Sequence, residues 1–259
     1  MDIVVSTSAY LAFNIVDMDK LPRHLGVEAL IENANDNVWY QAFKTLLKDR
    51  TSSFTIHGPF LYMNLAAKDC EFDRVIENYK WTFEYSNRYD AKHVVLHPQG
   101  YMEGPGNETA ESCRARCLDR INTLGELAAA SNANLLVENL CYPWLLFDQE
   151  EYVDLFNKIP TVNSLIDVGH SLIKEWDVPK LLKDLGPRID AYHIDDNMGP
   201  GTPDSHFKLG AGVLDYREFF TAYNKYTPDA RLVIEYLNVT KDEIVESAEW
   251  MKQLIQECK

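Results

Sequence analysis

The chain has 259 residues, with 40 Asp and Glu against 25 Lys and Arg, for a formal charge of −15 at pH 7. The 46% of hydrophobic residues supply a full core without staples, and no run approaches the ~18 uncharged apolar residues of a membrane-spanning helix. The acidic balance argues against a broad nucleic-acid surface, and Met1-Asp2-Ile3-Val4-Val5 lacks the basic-then-apolar start of a secretory leader.

Short apolar runs, many β-branched and bounded by turn residues, read as buried parallel strands. In chain order they are Ile3–Val5, Val27–Ile31, Phe54–Ile56, Val94–Leu96, Leu135–Val137, Leu165–Ile166, Ile189–Tyr192 and Leu232–Ile234. Helical spacing lies between them. It is carried by Phe72, Val75, Ile76, Tyr79 and Phe83, then by Cys117, Ile121, Leu124 and Ala128, then by Val178, Leu181, Leu182 and Leu185. Gly186-Pro187 stops that third helix. The last helix carries Ile244, Val245, Ala248, Met251 and Ile255, and Thr240-Lys241-Asp242-Glu243 predicts a capping box at its start.

Eight strand-like runs alternating with about eight helical segments predict an α/β fold, a (β/α)8 barrel forming a single domain over residues 1–259. A doubly wound open sheet is the alternative. It requires a Gly-rich phosphate turn after the first strand, and Ser6-Thr7-Ser8-Ala9 is not one. Five cysteines, Cys70, Cys113, Cys117, Cys141 and Cys258, are odd in number and form no CxxC pair. Free thiols in a reducing cytoplasm are expected, with Cys113 and Cys117 packing a helix into the core.

In such a barrel, chemistry sits where strands end. The third run ends in His57, the fourth in His97, the fifth in Glu138, the sixth in Asp167 with His170 three residues on, and the eighth in Glu235. The seventh contains His193, and its following loop supplies Asp204 and His206. Five of the seven histidines belong to this set, all but His24 and His93. Any one of them alone would more often be structural. Nine gathered at one rim would repel, and cations relieve that repulsion. Imidazole with carboxylate suits borderline divalent ions, zinc or manganese above all, and no cysteine is expected among them. Tyr10, Phe13, Trp39, Phe60 and Trp144 are candidate aromatic walls for a substrate. Lys208 is a candidate phosphate contact, Glu28 is either a site residue or a barrel-interior charge, and Glu32 is taken as a solvated turn residue.

His193-Ile194-Asp195-Asp196-Asn197, then Asp204-Ser205-His206, then Leu209-Gly210-Ala211-Gly212 and Leu214-Asp215-Tyr216 form the most specific stretch. With Gly26-Val27-Glu28 and Leu232-Val233-Ile234-Glu235, it resembles the xylose isomerase-like TIM-barrel superfamily. That superfamily includes sugar and sugar-phosphate isomerases and epimerases, and the endonuclease IV-type apurinic-site endonucleases. The epimerase resemblance implies a metal held by Glu138, Asp167, His193 and Glu235. Glu138 and Glu235 would then exchange a proton with a sugar carbon through an enediolate, and His170 would orient the substrate or join a second ion. The endonuclease resemblance implies three metals on all nine residues, His57, His97, Glu138, Asp167, His170, His193, Asp204, His206 and Glu235, hydrolysing a phosphodiester. The acidic loop after His193 weighs against DNA, although Phe60, Leu61 and Tyr62 could wedge a duplex. The expected partner is therefore a small sugar or sugar phosphate, the expected cofactor one to three divalent ions, and homo-oligomerisation stays open. A barrel that only binds metal or sugar is the third reading.

Overall fold

The computed structural model describes residues 2–9, 18–32, 37–61, 63–98, 108–142 and 146–259, with the backbone alone at 9 and 37–41. Tyr10, Phe13, Tyr62, Trp144 and the Trp39 side chain thus lie outside the described residues.

The eight strands are β1 (Ile3–Ser6), β2 (Gly26–Leu30), β3 (Phe54–His57), β4 (Val94–Leu96), β5 (Leu135–Glu138), β6 (Asn163–Asp167), β7 (Ile189–Ile194) and β8 (Arg231–Ile234). Each pairs in parallel with the next, and β8 closes on β1 through Ile3↔Leu232 and Val5↔Ile234. Closure removes both sheet edges, so nearly every strand residue is buried. All eight expected runs are strands, and the fold is a (β/α)8 barrel.

Parallel neighbours need crossovers, and helices supply them. They are α1 (Asn37–Leu46), α2 (Phe72–Arg88), α3 (Ala110–Ala130), α4 (Gln149–Lys158), α5 (Val168–Ile173), α6 (Val178–Leu185), α7 (Tyr216–Tyr226) and α8 (Lys241–Glu257). The expected apolar stripes face inward: Val178, Leu181, Leu182 and Leu185 of α6 are all buried. Gly186 ends α6 at φ 48°, a conformation that favours glycine. The capping box of α8 is present, with Glu243 N donating to Thr240 Oγ1 and Thr240 N donating to Glu243 Oε2 at 2.9 Å. Cys113 and Cys117 are buried on α3, and all five thiols are free.

The barrel has two apolar regions. The main core lies between strands and helices. A small separate cluster of Val95, Leu136, Leu165 and Ala191 fills the lumen. Because side chains alternate along a strand, the residue two positions after each lumen residue also faces inward, one layer nearer the C-terminal rim. Those residues are His97, Glu138, Asp167 and His193. Among the described residues, no helix is long and apolar enough to cross a membrane.

Candidate metal centre

The alternation that builds the lumen also gathers the donors. Glu138, Asp167, His193 and Glu235 each present one nitrogen or oxygen, and these four atoms lie within 4.8 Å of one another. His193 Nδ1 sits 2.8 Å from Glu235 Oε2, 3.4 Å from Glu138 Oε1 and 3.9 Å from Asp167 Oδ2. His57 and His97 flank Glu138, their Nε2 atoms 3.6 and 3.4 Å from its Oε2. On the other side, Asp204 Oδ2 bridges His170 Nε2 and His206 Nε2, at 3.0 Å from each. His170 Nδ1 is 3.5 Å from Glu138 Oε1 and so links the two halves. All nine expected donors are brought to one rim.

Local structure holds them there. Asp167 ends β6 and caps α5, its Oδ1 accepting from His170 N at 2.6 Å, so one turn fixes both residues. Ser6 and Ser8 donate to Glu235 Oε1 at 3.2 and 3.0 Å, turning Oε2 toward His193. Asp196 accepts four backbone N–H groups, from Asn197, Gly210, Gly212 and Leu214, and folds the loop carrying Asp204 and His206 back over the mouth. His206 has φ 43°, a left-handed conformation that costs a non-glycine residue about 1–3 kcal/mol. It is retained by Leu237 N donating to its carbonyl at 2.9 Å and by its ring beside Asp195 Oδ2 at 3.3 Å.

Three side-chain atoms at the centre are buried without a hydrogen-bond partner: Glu138 Oε2, Asp167 Oδ2 and His193 Nδ1. Leaving such groups unmatched costs about 1–3 kcal/mol each, and more when charged. Glu138, Asp167 and His193 all belong to the four-residue donor group, where a divalent ion would supply the missing partner charge, so the residues fit a metal of the zinc or manganese type. The charge balance agrees. Burial works against charging the imidazoles, yet the surrounding carboxylates push His57 up to about 9 and His170, His193 and His206 well above the usual range. Burial raises Asp167 to about 6, whereas the imidazolium charges outweigh burial at Glu235 and hold it at about 2. So many acids demand positive charge, which protons or a metal ion can supply.

A cavity of about 240 Å³ opens above the donors, with Ser8, Leu30, Phe60 and Leu237 in its wall. That is the space of about eight waters. Phe60, one of the expected aromatic walls, lies over His57 and His97 with ring centroids 5.3 and 5.0 Å away. A larger cavity of about 580 Å³, between the loop after β3 and α2, holds none of the nine donors.

Several residues behave differently from expectation. Cys141 belongs with the donors: its Sγ is grouped with His170 and Asp204. It lies three residues past the end of β5, in the loop that follows, which strand-end spacing does not reveal. Glu32 is half-buried and clamps the loop after β3 by accepting from Leu61 N at 3.1 Å. Lys208 is paired with Glu243 at 3.0 Å. Ser6 and Ser8, noted in the sequence only because they form no Gly-rich phosphate turn, hold Glu235. Their signal was position, since β1 neighbours β8 in any closed barrel.

Solved structures share this architecture across their whole length. A D-tagatose 3-epimerase-like protein superposes with a TM-score of 0.83 at 21% identity, covering 100% of this chain and 98% of that one. The 3-keto-D-glucoside 4-epimerase of E. coli gives 0.76 at 17%, covering 98% and 99%. A Thermus thermophilus protein soaked with zinc chloride gives 0.72 at 18%, covering 99% of each. No curated protein matches the chain by sequence. The description "xylose isomerase-like TIM barrel" matches residues 10–254, nearly the whole chain, and with the closed barrel and its rim of acids and imidazoles it places the protein in the xylose isomerase-like TIM-barrel family.

Proposed function

We propose that the protein is a divalent-metal-dependent sugar isomerase or epimerase acting on an unphosphorylated ketose or aldose. The observation that carries this reading is the convergence of one donor atom each from Glu138, Asp167, His193 and Glu235 within 4.8 Å, in a centre where Glu138, Asp167 and His193 each keep a buried, unmatched polar atom. An ion held by Glu138, Asp167, His193 and Glu235 would supply Lewis acidity, acidifying the C–H beside a sugar carbonyl. Glu138 and Glu235 stand on β5 and just past β8, so their carboxylates can reach opposite faces of that carbon. One removes the proton and the other returns it. Phe60 and Leu237 give the cavity apolar wall, which would limit water beside the deprotonated carbon.

The cavity size suits a single sugar ring. Among the described residues its wall contains no Lys or Arg, and the segments outside them contain none in the sequence. A phosphate group or a nucleic-acid backbone calls for such cations. The epimerases among the structural relatives agree with a free sugar.

One observation favours a second reading. His170, Asp204 and His206 form their own donor group beside the central four, with His57 and His97 opposite. That number of donors suits two or three ions and multi-zinc phosphodiester hydrolysis.

The test is proton exchange. Protein loaded with manganese or zinc is incubated in D2O with free ketoses, their phosphates and an abasic duplex. Deuterium entering a free ketose beside its carbonyl, lost on chelation and in Glu138→Gln, supports the proposal. Duplex cleavage without exchange would support the second reading and end the first.

A further inference from the structure

Beneath the four central donors lies a polar layer that neither reaction uses. Glu28, in the middle of β2, is fully buried in the lumen. Its Oε1 is 3.0 Å from His193 Nε2. Its Oε2 accepts from Thr55 Oγ1 at 3.1 Å and lies 3.3 Å from His93 Nε2. His193, His93 and Thr55 are likewise completely buried. A carboxylate sealed in a barrel this way is costly unless its partners compensate for the lost water.

The geometry fixes where the His193 proton sits. An ionised carboxylate only accepts hydrogen bonds, so the nitrogen facing it must carry N–H. Nε2 is therefore protonated, and Nδ1 is the atom free to take a proton or an ion. Nδ1 makes no hydrogen bond, although three carboxylate oxygens, from Glu235, Glu138 and Asp167, surround it at 2.8, 3.4 and 3.9 Å. A bare lone pair ringed by anionic oxygens would be repulsive; a proton on Nδ1, or an ion shared among it and these oxygens, removes the conflict.

We propose that Glu28 is a positioning residue for the metal centre: by accepting the Nε2–H of His193 it commits Nδ1 to the ion and fixes the plane of the ring. Thr55 and His93 hold the Glu28 carboxylate in turn. This inference rests on the metal reading above. Partners of this kind behind a ligating imidazole typically change metal affinity about 10–100-fold.

The experiment measures zinc and manganese dissociation constants, by competition with a chromogenic chelator, for wild type and Glu28→Gln. Near-ultraviolet circular dichroism of both apo proteins monitors the fold. Glutamine keeps the shape, removes the charge and weakens the acceptor, so affinity is expected to fall about 10–100-fold with the fold intact. A merely structural Glu28 would lower apo stability and leave the dissociation constant at the wild-type value, which overturns the inference. A second measurement needs no variant. In zinc-loaded wild type, nitrogen-15 spectra of His193 should show a slowly exchanging proton on Nε2 and a metal-shifted Nδ1, and zinc on Nε2 would overturn the inference. Wild type that retains no ion would overturn the metal reading itself and this inference with it. Wild type that binds, matched by an equal Glu28→Gln, overturns only the inference.

Discussion

Gly169→Ala sets local propensity against packing and so has a sign worth measuring. Gly169 lies in the first turn of α5, where helix propensity alone favours alanine by about 1 kcal/mol. A Cβ there would lie 2.2 Å from Asp195 Oδ2 and 2.5 Å from both Asp195 Oδ1 and Asn197 Nδ2. Neither side chain can swing away. Both residues are completely buried, and Asp195 Oδ1 accepts from Gly169 N at 2.8 Å while Oδ2 accepts from Asn197 Nδ2 at 3.2 Å. Overpacking of this kind costs about 1–3 kcal/mol, and displacing a buried carboxylate from its donor adds about 1–3 kcal/mol. After the propensity gain, the net expectation is a loss of about 1–5 kcal/mol. The same shift frees His206 from Asp195 and disturbs Asn197, which donates to Asp204 Oδ1 at 3.2 Å. Affinity at the His170–Asp204–His206 group should fall together with stability. Urea unfolding with an unchanged m-value is the assay. A variant as stable as wild type, or more so, would refute the packing argument.

Four further outcomes are expected. A metal at about 1,000 times its dissociation constant should stabilise the fold by about 4 kcal/mol, or roughly 8–16 °C in melting temperature for a chain of this size, and a scan with excess chelator should remove the gain. Glu235→Gln should lower turnover about 10²–10⁴-fold while leaving the fold intact, as read by deuterium exchange and circular dichroism. Ser6→Ala combined with Ser8→Ala removes both donors to Glu235 Oε1, and activity or metal affinity should fall about 10–100-fold in steady-state assays. The fourth concerns pH. Thr240 and Lys208 hold exposed Glu243 down to about 2 from 4.5, so its stabilising contribution is complete above pH 4.5 and is lost as pH falls toward 2. The stability gap between wild type and Glu243→Gln should be constant above about pH 5 and shrink below 4.5 in urea titrations.

How much of this was legible in the sequence depends on periodicity. Strands buried on both faces read as short continuous apolar runs, and Val94–Leu96 or Leu232–Ile234 need no context. A donor one step beyond such a run, as at His97 or Glu235, falls on the rim by alternation alone. Other residues do not follow that spacing. Glu28, readable only as a site residue or a barrel-interior charge, and His93, left out of the donor set, lie deeper in the barrel than the rim donors, where a sequence shows only a charge inside or beside a strand. Which imidazole Glu28 meets depends on barrel stagger, because His193 comes from the far wall, 165 positions along the chain. Cys141 joins His170 and Asp204 from the loop after β5 rather than from a strand end, and Ser6 and Ser8 meet Glu235 only because β1 closes on β8. Local pattern gives a residue its layer, and closure gives it its partners.

The central question is whether the three unmatched buried atoms mark a bound cation. The direct measurement is metal content per chain by plasma mass spectrometry, after metal loading and gel filtration, on wild type and on Asp167→Asn. At least one retained equivalent of zinc or manganese in wild type, lost or greatly weakened in the variant, is the expected result. A folded wild-type protein that retains no divalent ion would contradict the centre, and with it the chemistry proposed for Glu138 and Glu235.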